Sequence, residues 1–234
     1  MLALKGEAVL GAQLVVRHRA VRLTALLSLA ILVLALAQGG PGSPHTLFGV
    51  GGCLSAVAGS RLLAPGAALA AARRAAGPWW LAPAGRLAGL LLLLAPVLAV
   101  GAAALIPSSG GEAAFVPLAL AALLQAGALG ALTLALAPAV GASASGMLGL
   151  TWALLGGLRP SEMLQLLAGW PYAQRVAVTA WNLLPLSWRA ARWLRDGTPL
   201  DLVLLGSWVV AGTALGAWAT ALEGGGDRRS GRWP

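Results

Sequence analysis

LAGLLLLLAPVLAVGAAALI, residues 87–106, is a run of twenty residues without a single charge. A helix of roughly 20 apolar residues crosses a bilayer hydrocarbon core about 30 Å thick, and this run fits that length. The surrounding chain agrees. Of 234 residues, 59% are hydrophobic and only 10% charged, against about 25% charged in a soluble domain. The mean hydropathy is +0.82. A charge supply this small does not cover a water-facing surface, so the chain reads as an all-α membrane protein.

Working outward, five more runs read as spans: Leu23 to Gln38, Thr46 to about Ala70, Phe115 to Ala137, Ser143 to Leu158 and Leu200 to Leu222. Turn signals separate them, notably Gly39-Gly40-Pro41-Gly42 and Pro107-Ser108-Ser109-Gly110-Gly111. The expectation is therefore about six transmembrane helices over 23–222, the fifth reaching spanning length only if Ala139-Val140-Gly141-Ala142-Ser143 joins it, preceded by a basic segment at 1–22 and followed by a polar tail at 223–234. Ala35-Leu36-Ala37 has the form of a signal-peptidase site, but the basic region before the apolar run is 22 residues long, which favours a spanning helix.

Residues 159–199 differ from the rest, with five Arg, four Trp and four Pro. A span over Met163 to Leu184 would bury Arg175 at a cost of about 2.5–3.5 kcal/mol, so none is expected there. Pro185 to Asp196 reads instead as an interfacial helix. Leu186, Ala190, Trp193 and Leu194 share one face, Arg189, Arg192 and Asp196 the other, and Arg192 and Asp196 are spaced as an i,i+4 pair. Gly197 is placed to cap it and Pro199 to prevent its continuation.

The sixteen Lys and Arg punctuate the ends of apolar runs rather than forming one stripe, so the net charge of +9 implies a membrane surface and not nucleic acid. Eleven of them fall on one side of the span map and five, all within 159–199, on the other. The positive-inside bias then puts both termini in the cytoplasm. Arg61 snorkels to that boundary if its helix ends early, and otherwise faces cargo. The seven acids all lie at termini, loops or helix ends by this map, which leaves ion-coupled transport without an intramembrane carboxylate. Two His, one Cys and no Gly-Lys-Ser/Thr loop offer no catalytic, metal or ATP site of the usual kinds, and no cofactor is expected. Gly212 and Gly216 form a small-xxx-small pair, suited to a close helix contact.

The connection AARRAAGPWWLAPAGR, residues 71–86, sets three Arg and adjacent Trp79 and Trp80 between two spans. By itself it reads as topology signals with interfacial anchors. However, Arg74-Ala75-Ala76-Gly77-Pro78-Trp79-Trp80-Leu81-Ala82-Pro83 resembles the cytoplasmic coupling segment of membrane subunits of ATP-binding cassette (ABC) exporters of the second class. Trp181-Asn182-Leu183-Leu184-Pro185-Leu186-Ser187-Trp188 through Asp196-Gly197 is similar to the outer segment before their last span, and the basic N-terminus to their elbow helix. The Glu that commonly precedes the coupling Gly is not present here. The resemblance implies a permease subunit of the plasma (inner) membrane that exports an amphiphilic cargo. An ATP-binding cassette subunit would dock on Arg73, Arg74, Trp79, Trp80 and Arg86, and a second permease copy or paralogue would complete the pathway. Trp188, Arg189, Arg192 and Trp193 would form an outer gate helix. A non-transporting scaffold within a larger membrane complex is the rival reading, since nothing in the spans themselves binds an ion or ATP.

Overall fold

In the computed structural model the described residues are 2–37, 44–62, 80–109 and 115–229. They form helices α1 (Leu2–Arg17), α2 (Arg19–Ala37), α3 (Pro44–Arg61), α4 (Leu81–Ser109), α5 (Phe115–Val140), α6 (Ala142–Leu155), α7 (Pro160–Leu166), α8 (Pro171–Leu183), α9 (Ser187–Asp196) and α10 (Pro199–Arg229), with no strand among them. Among the described residues three segments are long and apolar enough to cross a membrane: Leu81–Ala104, Phe115–Val140 and Pro199–Ala219. They coincide with the third, fourth and last expected spans. The other three expected spans are helical, α2 with 19 residues, and α3 and α6 with fewer than expected. α3 is described to Arg61, the rest of that expected span (63–70) lying outside the described residues, and the 14 residues of α6 reach about 21 Å at 1.5 Å each. α10 runs past Leu222 to Arg229, into what reads as a polar tail in the sequence. The region 163–184 is divided between α7 and α8, neither of them long enough to span.

α5 is the axis of the bundle, with 61% of its apolar window buried against 22% for the window in α10. It packs on α3, α4, α6 and α10, and it does so through small residues. A Cβ on Gly212 would meet the backbone of Ala131, one on Gly59 the backbone of Gly130, and one on Gly149 the side chains of Thr133 and Ala56. In lipid, where apolar surface gains nothing by leaving its surroundings, such close backbone approach supplies the dispersion contacts that hold helices together. The Gly212 member of the small-xxx-small pair is thus in a real contact. Buried hydroxyls return their hydrogen bonds to the backbone: Ser55 donates to the carbonyl of Ala126, Thr133 to that of Leu129 at 3.1 Å, and Ser145 to that of Thr133 at 2.5 Å.

Between α5 and α6 the chain reverses on one residue. Gly141 sits at φ +85°, in a region that costs L side chains heavily and glycine little. Thr133 then meets both Ser145 and Gly149, as an antiparallel hairpin centred on Gly141 requires. The start of α3 lies near Gly157 after the end of α6, through His45, while Arg61 at the end of α3 donates to Ser143 at the start of α6, at 3.3 Å. α3 and α6 are therefore antiparallel, and each end of the bundle has its own set of polar residues.

At the Arg61 end, α1 packs on α4. Gly89 leaves room for the backbone of Ala8 and Ala12, and Arg86 donates from Nε to Glu7 at 3.3 Å and from a terminal nitrogen to the carbonyl of Leu62 at 2.7 Å. α1 is therefore a helix seated on a span, with His18 breaking it from α2.

Candidate functional site

The opposite end is built around Asp201. Pro199 opens α10, which puts Asp201 in its first turn, where a carboxylate meets the positive end of the helix dipole. The α9 helix ends just before it: Gly197 at φ +67° donates its N–H to the carbonyl of Trp193 at 2.8 Å. That left-handed cap, expected from the sequence, turns α9 back so that Arg189 and Arg192 reach Asp201. The carboxylate is 0% exposed. It accepts from Arg189 at 2.9 Å, from Arg192 at 2.6 and 2.7 Å, and from the Thr198 hydroxyl at 2.7 Å. The Arg189 and Arg192 guanidiniums also lie 4.7 and 5.0 Å from the centroid of the Trp188 ring, within cation–π range.

This arrangement corrects two expectations for α9. Arg189, assigned to the polar face, is 6% exposed, because Asp201 provides the partner without which a buried guanidinium would not be tolerated. The expected Arg192–Asp196 pair is replaced: Arg192 turns to Asp201, and Asp196 pairs with its neighbour Arg195 at 2.7 Å. The hydrogen bonds it donates to Asp201 hold Arg192 more firmly protonated than usual, and that donated by Arg195 holds the Asp196 carboxyl below its ordinary range. The apolar face follows the expectation, with Leu186 and Ala190 buried and Trp193 and Leu194 packed on the core.

A recess of about 310 Å³ opens beside this cluster, lined by His45, Arg159, Ser161, Trp188, Arg192 and Arg195 among others. Its wall is fastened by backbone and indole bonds. Trp188 N–H donates to the carbonyl of Gly156 at 2.8 Å, and the Trp181 indole to that of Leu158 at 2.9 Å. Partial burial and then the repulsion of Arg159 hold His45 below the ordinary imidazole value, partly offset by Glu162. The Trp188 indole N–H is buried and has no hydrogen-bond partner.

Of the sequence-derived gate residues, Trp188, Arg189 and Arg192 are brought together, whereas Trp193 faces the core. Of the docking set, Arg73, Arg74 and Trp79 lie outside the described residues. Trp80 is 47% exposed at the entry to α4. Arg86 instead turns inward to Glu7 and Leu62. The sequence reading missed Asp201, Arg159, Arg195 and His45. The only available signal was an acid two residues into a span, following a helix with Arg at i and i+3. Among the described residues no group of three or more His, Cys, Asp or Glu is placed to hold a metal ion. No family model, curated protein or solved structure matches this chain.

Proposed function

We propose that the chain is the membrane-spanning subunit of an ATP-driven exporter of the ABC type, carrying an amphiphilic cargo with energy from a separate ATP-binding subunit. The observation that carries this reading is the order of parts: a helix seated on the bundle before the first apolar helix, an exposed tryptophan at the head of α4, and three short helices preceding the last span. The reading supplies six spans by counting α2, α3 and α6 with the three long helices, and places the Arg61 and Arg86 end in the cytoplasm. The tightly packed interior of α5 supports a pathway between two copies rather than through one, and the sparsely covered α10 is the natural surface for a second copy or paralogue.

Docking falls to Arg73, Arg74, Trp79 and Trp80, since Arg86 is engaged within the fold. Co-purification from the native membrane tests it. An ATPase subunit should accompany the unaltered chain and be released when Arg73, Arg74, Trp79 and Trp80 are changed to Ala. If none accompanies the unaltered chain, the reading fails. The close packing through Gly59, Gly149 and Gly212 favours the second reading, a non-transporting scaffold, and that reading gains if the chain is instead recovered in a complex with no ATPase.

A further inference from the structure

We infer that the recess between the first turn of α3, the 157–161 corner and α9 is a binding site for a phosphate-bearing anion. The inference is independent of any coupling to an ATPase. Three guanidiniums line the recess, those of Arg159, Arg192 and Arg195, and with Arg189, which shares Asp201 with Arg192, they stand against three carboxylates in the same cluster, Glu162, Asp196 and Asp201. One positive charge is in excess, and two when His45 is protonated. The carboxylates are also occupied. Asp201 already accepts from two arginines and a hydroxyl, and Glu162 accepts the backbone N–H of Arg159 at 2.7 Å. Arg159 has no carboxylate partner among the described residues, and Arg195 holds only the exposed Asp196 beside it. Such an exposed pair is worth little and yields readily to a better acceptor.

The donors suit tetrahedral oxyanions. Guanidinium forks bind phosphate in a bidentate manner, Ser161 brings a hydroxyl, and the buried indole N–H of Trp188 lacks an acceptor. At about 310 Å³ the recess lies at the small end of ligand sites, which run from about 300 to 1,000 Å³. It therefore suits a phosphate with a short substituent, not a nucleotide or a whole lipid. The neighbouring segment exposes Trp170 and Tyr172, the residue types that settle at headgroup depth, so a lipid phosphate is the favoured source over a soluble one.

The test uses the full chain in detergent, with native mass spectrometry and thermal unfolding. The probes are short-chain phosphatidic acid, diacylglycerol with the same chains, and inorganic phosphate. Phosphatidic acid should bind and raise the unfolding temperature, and diacylglycerol should do neither. The double variant Arg159→Ala/Arg195→Ala should weaken phosphatidic acid by about tenfold or more, as expected for losing charge-assisted hydrogen bonds. Arg159→Lys/Arg195→Lys should recover part of that loss. Both positions lie outside the Asp201 pairs, so the ligand-free unfolding temperature should not move. Tighter binding of phosphatidic acid than of inorganic phosphate identifies a lipid headgroup, and equal binding identifies a soluble phosphate. If neither phosphate probe binds, or the double alanine variant binds both as the unaltered chain does, the inference is overturned.

Discussion

The two ends of the bundle use the same chemistry, an arginine on a carboxylate, to tie a peripheral helix to a span, but they use it to different degrees. At one end Arg86 joins α4 to Glu7 of α1 at 3.3 Å, with the Leu62 carbonyl as a second acceptor. At the other, Asp201 gathers two arginines and a threonine at 2.6–2.9 Å with no exposure at all. A carboxylate with that many donors cannot be removed without stranding buried charge. Arg86 would keep an acceptor if Glu7 were lost. The comparison shows that the number of groups depending on a buried ion matters more than the presence of the ion pair.

The largest effect should come from Asp201→Ala, which strands Arg189 and Arg192. A loss of about 3–5 kcal/mol is expected, measured by unfolding in detergent, with α9 becoming accessible to protease. A loss below about 1 kcal/mol would remove the distinction between the two ends. Next, Gly89→Ala pushes a Cβ into the backbone of Ala8 and should cost about 1–3 kcal/mol. Smaller again is Glu7→Gln, at about 1 kcal/mol. Combined with Gly89→Ala it should be less than additive, because lifting α1 already breaks the Arg86 contact. Strict additivity would mean that α1 is held elsewhere.

The smallest effect is a pH dependence at the Asp201 end. His45 in the folded chain binds its proton less readily than at its ordinary value of 6.5. The unfolded chain therefore holds more protons in the window just below that value, and stability should fall as pH drops through it. A bound anion opposes this by favouring the imidazolium, so phosphate affinity should rise as pH falls. His45→Ala should flatten both trends, and Arg159, Arg192 and Arg195 supply the charge that remains.

Position relative to the spans explains why the arginine-rich segment at 159–199 looks out of place when counted by sidedness. Three of its five arginines are spent on Asp196 and Asp201. Arg189 and Arg192 fasten α9 to the head of the last span, Arg195 pairs within α9, and only Arg159 and Arg175 remain without a carboxylate among the described residues. The Arg192–Asp196 spacing in the sequence satisfied the helical i,i+4 rule. The rule was overridden because a buried carboxylate one turn into the next helix offers a desolvated, better-aligned acceptor than an exposed one on the same helix.

The sequence by itself determined the solvent and the helical state of the long apolar runs. Runs such as 87–106 carry too little charge for water, and a backbone in lipid must satisfy its own hydrogen bonds, so helices follow. It also determined the Gly197 cap and the apolar face of α9, because helix periodicity and left-handed glycine are local properties. Which glycines are contacts, whether Arg86 faces a partner or Glu7, the pairing of Arg192 with Asp201, and the convergence of Arg159, His45 and Arg192 on one recess were decided only by tertiary structure. These pairings join residues from 9 to 114 positions apart in the chain, and no local pattern encodes which distant group will share a dry, low-dielectric corner.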